Sequence, residues 1–271
     1  MADNKARPVS IAGLVSKKRH GHKITMLTAY DYPTARLVDE AGIDVVLVGD
    51  SVGNAELGYK STIPVTLTEM LHHVKAVRRG TKRALLVADL PFLTYQISVD
   101  EALRNAGRLI QEGEADAVKM EGGEEIVPTV KRLVETGIPV VAHIGLQPQH
   151  VKVTGFAVSG RTEEAATRIL REAKALEDAG AFAVVLELVP RKLAGEISRA
   201  LTIPTIGIGS GAECDGQVLV TSDLIGLQLG APAYRHVKRY ADVATIILEA
   251  ITAYRDEVET STFPGDENGV D

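Results

Sequence analysis

The sequence predicts a single α/β domain, a (βα)8 barrel of the TIM type with a short helix ahead of it. Three observations predict it. Four short apolar runs end at acids: residues 45–48 run through Gly49 to Asp50, 84–88 to Asp89, 115–120 to Glu121 and 183–186 to Glu187. Each acid follows a glycine that could end a helix (Gly42, Gly80, Gly113 or Gly180) by seven to nine residues. Eight such runs alternate with helical segments over 271 residues without a break in composition, a length suited to one barrel. Apolar runs without alternation suit strands buried on both faces, as in a parallel sheet. A doubly wound open sheet is the alternative; length and eight repeats favour the barrel.

Taken in order, Ser10 caps a helix over 11–18 that could plug the barrel bottom, and 24–28 is the first strand. Pro33 opens a helix to about Glu40. Strand two is 45–48, followed by a long loop over 52–65 of the kind that often forms a lid. Thr66 and Glu69 stand at capping-box spacing, as do Ser98 and Glu101, for helices to about Arg79 and Gln111. His72 and His73, adjacent on the first of these, do not share a face and are no paired metal site. Gly122 and Gly123 lead into a helix to about Glu135. Strand five is 138–142, ending at His143, before a second long loop over 147–161. Thr162 with Glu163 and Glu164 starts the next helix, with acids in its first turn. A further helix to about Ala200 precedes strand seven over 203–208, and strand eight is expected at 224–228. A last amphipathic helix is expected from about Tyr240 to Val258, with 1–9 and 259–271 as flexible termini.

The net charge of −6 offers no electrostatic case for nucleic acid or an anionic membrane surface. No apolar run approaches the roughly 18 residues of a membrane span, and the first thirty residues carry no apolar signal core. The expected location is cytoplasmic. Cys214 is the one cysteine, so no internal disulfide forms, and nothing around it marks a nucleophile.

Carboxylates at the ends of several parallel strands converge on one mouth, where they repel unless a cation sits among them. Oxygen ligands without a His or Cys cluster favour Mg²⁺. His143 could be a general base, a ligand or a substrate donor. A Lys119 facing the barrel would balance an anionic substrate; with Met120 between them, Lys119 and Glu121 are expected to face opposite ways. The run from Gly207 to Gly211 departs from a dinucleotide-binding pattern and reads as the loop after strand seven, shaping the pocket floor.

Several motifs together closely resemble the ketopantoate hydroxymethyltransferase family: Val48-Gly49-Asp50-Ser51, the Gly58 to Thr66 loop, Ala88-Asp89-Leu90-Pro91-Phe92, Val118-Lys119-Met120-Glu121-Gly122-Gly123, His143-Ile144-Gly145-Leu146, Leu186-Glu187 with Val189-Pro190, and Ile206-Gly207-Ile208-Gly209. They cover roughly 10–255 in the family's order; Met120 stands where that family often has a β-branched residue. The resemblance implies a barrel of the phosphoenolpyruvate/pyruvate superfamily. It implies transfer of the one-carbon unit of 5,10-methylenetetrahydrofolate to 3-methyl-2-oxobutanoate through a metal-stabilised enolate, giving 2-dehydropantoate. By position it makes Asp50 and Asp89 ligands of one Mg²⁺ per subunit, with Glu121 completing the metal site. Asp50, Ser51, Asp89, Lys119 and His143 are then the substrate-binding residues and Glu187 the general base. It also implies a homodecamer. The rivals are another Mg²⁺-dependent keto-acid enzyme on this barrel, a carbon–carbon lyase or a phosphonopyruvate mutase, and a non-catalytic metabolite-binding barrel.

Overall fold

A computed structural model describes residues 7–155, 159–230 and 234–270. The chain divides into two compact units, Met1–Val220 and Thr221–Asp271. In the first, α1 (Ile11–Arg19) precedes β1 (Ile24–Thr28), α2 (Tyr32–Glu40), β2 (Val45–Val48), α3 (Val52–Ala55), α4 (Leu67–Gly80), β3 (Leu85–Asp89) and α5 (Val99–Gln111). There follow β4 (Ala117–Glu121), α6 (Val127–Glu135), β5 (Val140–Gly145), α7 (Val151–Thr154), α8 (Glu163–Asp178), β6 (Ala183–Glu187), α9 (Arg191–Ala200), β7 (Thr205–Ile208) and β8 (Gly216–Leu219). All eight strands are parallel and in chain order, and β8 pairs with β1 to close the barrel.

Strand parity decides what the barrel encloses. Val46, Val48, Leu86, Ala88, Val118 and Met120 pack outward under the helices. Val45, Leu47, Leu85, Val87, Ala117, Val141 and Val185 fill the interior. Side chains two apart on a strand share a face. The inward columns therefore end, at the carboxyl edge, on Asp89, on Lys119 and Glu121, on His143 and on Glu187. The expectation that Lys119 and Glu121 point opposite ways is corrected by the same rule: both face inward, and Met120 between them is the outward residue.

The floor of the interior is α1. Ser10 caps it by accepting from Gly13 N at 3.1 Å. Leu14 is buried with the interior strand residues, and Lys17 and Lys18 pair with Asp44 and Asp215 at 2.6 and 2.7 Å. The Thr66–Glu69 capping box forms in both directions, whereas Ser98 accepts from Glu101 N. Of the four repeat glycines, Gly42 and Gly180 adopt positive φ, +83° and +99°, as helix-ending glycines do. Gly80 is instead a close-packing residue: a Cβ there would lie 2.7 Å from Tyr32 O, where α2 crosses α4. Gly113 has no room either, since its Cβ would meet Leu109 O at 2.6 Å.

Strand eight is not at 224–228. It is Gly216–Leu219, four residues of which only Gly216 and Val218 are buried, so it carries almost no apolar signal. Gly216 is required there because a Cβ would sit 2.6 Å from Ile24 O on β1. The second unit contains α10 (Thr221–Ile225), which takes up Leu224 and Ile225, and α11 (Val243–Glu259). Ile246, Ile247, Leu248, Ile251 and Tyr254 of α11 are exposed. Among the described residues no helix is long and apolar enough to cross a membrane.

Candidate active site

The interior columns open into a cavity of about 120 Å³ lined by Asp50, Ser51, Asp89, Lys119, Glu121, His143 and Glu187. The seven candidate site residues expected from the sequence thus meet at one place, the carboxyl edge where parallel barrels carry their chemistry. Leu47, Val185, Ile208, Val218, Leu219 and Val220 form an apolar wall to the same cavity. Of the Gly207–Gly211 run only Ile208 reaches it; Ser210 instead ties the loop to the end of β6, donating to Leu186 O at 2.7 Å.

The charged side chains form one connected cluster. Asp89 Oδ2 accepts from Asp50 N at 3.0 Å, and Asp89 Oδ1 lies 3.1 Å from Lys119 Nζ. Lys119 Nζ is also 3.3 Å from His143 Nδ1. His143 lies between two acids, with Nδ1 3.6 Å from Glu121 Oε1 and Nε2 3.2 Å from Glu187 Oε2. Asp50, Asp89, Lys119, Glu121 and His143 are each at most 5% exposed, so these charges act on one another through little water.

That burial shifts their titration. Burial, then repulsion from Asp89 and Glu121, raises Asp50 to about 8. Asp89 is raised by burial despite Lys119. For Lys119, burial favours the neutral amine, but Asp89, Glu121 and Asp50 outweigh it and hold the ammonium. For His143, burial and Lys119 oppose protonation, yet Glu121 and Glu187 raise it to about 9. Glu121 is lowered, the partnership with His143 overcoming burial.

These shifts test whether the residues suit a cation. Burial first, and then the neighbouring Asp89 and Glu121, raise Asp50 to about 8, which favours a proton on it at neutral pH. A divalent cation between Asp50 and Asp89 would replace that proton. Among the described residues no three His, Cys, Asp or Glu side chains are gathered as a ready ligand set. Such an ion would therefore draw its remaining oxygens from substrate and water, as Mg²⁺ habitually does. Glu121 is largely committed elsewhere, accepting from Gln149 N at 3.0 Å besides facing His143.

The pH consequence follows by sign. Both Asp50 and His143 titrate above their ordinary values, so the fold binds their protons more tightly than the unfolded chain and loses that stability as pH rises. For Asp50 the loss runs from about pH 4 to about 8, and for His143 from about 6.5 to about 9. We expect the melting temperature of chelator-treated protein to fall by several degrees between pH 6.5 and 9, and Mg²⁺ with a keto acid to flatten that slope. A melting temperature that is level or rising across the same interval would show that the cluster is not proton-loaded.

Sequence reasoning missed Gln149, which is buried and makes the most connections at the rim. Its Nε2 donates to Asp50 Oδ2 at 2.9 Å and to Leu90 O at 3.0 Å, and its Oε1 accepts from Tyr95 OH at 2.8 Å. Tyr95 OH also accepts from Glu121 N at 3.1 Å. One amide thus ties the segments after β2 and β3 to the loop after β5 around the acids. The signal available was a polar residue just after Pro148 beyond a strand end, which is weak by itself. Tyr30 was missed as well; its hydroxyl lies 2.8 Å from Ser51 Oγ.

A family model described as ketopantoate hydroxymethyltransferase matches residues 8–266. The chain belongs to the ketopantoate hydroxymethyltransferase family. A curated relative from Caldivirga maquilingensis, named 3-methyl-2-oxobutanoate hydroxymethyltransferase, is 58% identical over 246 residues, covering 90% of this chain and 92% of the relative. One of the same name from Syntrophus aciditrophicus is 53% identical, covering 96% of each chain. Among solved structures, 2,3-dimethylmalate lyase of the PEP mutase/isocitrate lyase superfamily matches with a TM-score of 0.59 at 14% identity, over 96% of this chain and 88% of that one. Phosphonopyruvate hydrolase in complex with oxalate and Mg²⁺ matches with a TM-score of 0.58 at 14% identity, over 96% and 89%. At that identity the likeness concerns the fold, which is the barrel expected from the sequence.

Proposed function

We propose that this chain is a 3-methyl-2-oxobutanoate hydroxymethyltransferase, passing the one-carbon unit of 5,10-methylenetetrahydrofolate to the keto acid with consumption of one water and releasing 2-dehydropantoate and tetrahydrofolate. The observation that carries the reading is the mixed lining of the cavity. Asp50, Asp89, Glu121 and Glu187 meet there around Lys119 and His143, together with the apolar Leu47, Val185, Ile208, Val218, Leu219 and Val220. A small branched 2-keto acid has matching parts, an anionic dioxygen head and an isopropyl group.

Asp50 and Asp89 would hold Mg²⁺, with Glu121 in support. Bound there, the ion would supply Lewis acidity at the keto oxygen and stabilise enolate charge. Lys119 and Ser51 orient the carboxylate, and the apolar wall excludes water from the C3 carbon. Glu187 takes the C3 proton, and C3 bonds to the one-carbon unit; that carbon's two bonds to folate nitrogens are replaced by the new C–C bond and a hydroxyl from water, and the nitrogens take up the protons released. His143, which holds its own proton up to about pH 9, is not free to accept one at neutral pH.

Turnover of 3-methyl-2-oxobutanoate with methylenetetrahydrofolate and Mg²⁺ tests the reading; absence of 2-dehydropantoate would defeat it. A lyase relying on a loop cysteine is disfavoured, because Cys214 is buried among the outer packing residues and does not line the cavity. We also propose a single domain over 1–271, a cytoplasmic location, and a homo-oligomer, expected to be a decamer. The exposed Ile246, Leu248 and Ile251 of α11 support self-association.

A further inference from the structure

Thr62 sits in the connection between α3 and α4 and lines the cavity with Asp50 and Ser51. It is 5% exposed, and its Oγ1 is enclosed without a hydrogen-bond partner among the described residues. Asp89 Oδ1 and His143 Nε2 also lack hydrogen-bond geometry, and they line the same cavity. A buried hydroxyl without a partner is uncommon, because it loses its water contacts with nothing in exchange.

The loop does not depend on the Thr62 hydroxyl for its shape. Thr62 O accepts from Val65 N at 3.1 Å, and Tyr59 N donates to Gly53 O at 2.7 Å. Val65 is buried against Gly53, where a Cβ would stand 2.7 Å from Val65 Cγ2. Tyr59 OH donates to Glu69 Oε1 at 2.6 Å, pinning the loop to α4. Thr62 is therefore held at the cavity lining by backbone bonds and by its neighbour's packing.

Its chemistry selects a ligand. A threonine hydroxyl offers one O–H donor. The acids of the cavity are acceptors, Ser51 Oγ is shared with Tyr30 OH, and Lys119 Nζ lies between Asp89 and His143. A carboxylate entering this cavity needs donors, and Thr62 is the hydroxyl not already engaged.

We infer that Thr62 is a substrate-contact residue whose hydroxyl donates to a carboxylate oxygen of the bound keto acid. This rests on the keto-acid reading above. The test compares Thr62→Val, which keeps the shape and removes the hydroxyl, with Thr62→Ser, which keeps the hydroxyl. Binding of 3-methyl-2-oxobutanoate in the presence of Mg²⁺ is measured by calorimetry, and apo stability by melting temperature. For Thr62→Val the melting temperature should hold or rise, since no bond is lost. Affinity for the keto acid should fall roughly ten- to hundredfold, the usual effect of removing a hydrogen bond to a charged group. Thr62→Ser should bind like the wild type. Unchanged affinity in Thr62→Val overturns the inference, as does a lowered melting temperature with affinity intact, which would make the residue structural. Should valine disrupt the loop, serine decides: affinity near wild type supports the contact and weakened affinity overturns it. Failure of the wild type to bind the keto acid would instead sink the reaction assigned to the site, and this contact with it.

Discussion

Asp50→Asn should fold normally, match or exceed the wild type in apo melting temperature at neutral pH, and lose the stabilisation that Mg²⁺ and 3-methyl-2-oxobutanoate confer together. Asp50 is raised to about 8 by burial and by Asp89 and Glu121, so its carboxyl is already mostly neutral in the apo fold at pH 7. An amide of the same shape replaces that neutral group at little cost, and can still accept from Gln149 Nε2, which lies 2.9 Å from Asp50 Oδ2. What it cannot do is become an anion when a divalent cation arrives. Ligands at about a hundred times their dissociation constant stabilise a fold by about 2.7 kcal/mol, and that increment should vanish. Asp89→Asn should lose the same increment but behave differently without metal. Asp89 Oδ1 faces Lys119 Nζ at 3.1 Å and Oδ2 accepts from Asp50 N. Its amide would present a donor to one neighbour or the other, so apo stability should fall. Full Mg²⁺-plus-substrate stabilisation in either variant removes that residue from the proposed metal site.

How much of this could be read from the sequence depends on the kind of signal each element carries. The barrel was legible because buried parallel strands are short apolar runs, and β2, β3, β4 and β6 announce their ends with an acid. Asp89, Glu121 and Glu187 are the last residues of their strands, and Asp50 follows β2 by two. Strand eight was misplaced for the opposite reason. Gly216 and Gln217 supply backbone pairing to β1 and β7 without apolar bulk, while 224–228 looks like a strand and begins in a helix. Gln149 and Thr62 were not singled out because their importance lies in partners far along the chain. Gln149 meets Asp50 across 99 positions, and Thr62 matters through the absence of a partner, which no local pattern records. The sidedness of Lys119 and Glu121 was within reach of strand periodicity alone, and needed only a count of two.

The largest expected effect belongs to Glu187. It ends β6, four strands around an eight-strand ring from β2, and so faces the Asp50 side across the cavity. A carboxylate bound directly to a divalent cation is a poor base, so a base belongs on the far wall. His143 Nε2, 3.2 Å from Glu187 Oε2, orients that carboxylate from the side. On the proposed reading, removal of the C3 proton requires the keto acid, Mg²⁺ and this carboxylate, and does not require folate. Wild-type protein should therefore exchange the C3 hydrogen of 3-methyl-2-oxobutanoate with D₂O when Mg²⁺ alone is added, followed by loss of the C3 proton signal in NMR. Glu187→Gln keeps the shape and cannot accept a proton, so its exchange should be slower by roughly 10²–10⁴-fold, the usual share of a general base. Calorimetric binding of the keto acid, measured alongside, ensures that rates are compared on occupied protein. Exchange at the wild-type rate by Glu187→Gln with substrate bound would exclude Glu187 as the base. The imidazole of His143 would then have to give up its proton well below pH 9 to take over, and the exchange rate of the variant would rise with pH as it did so.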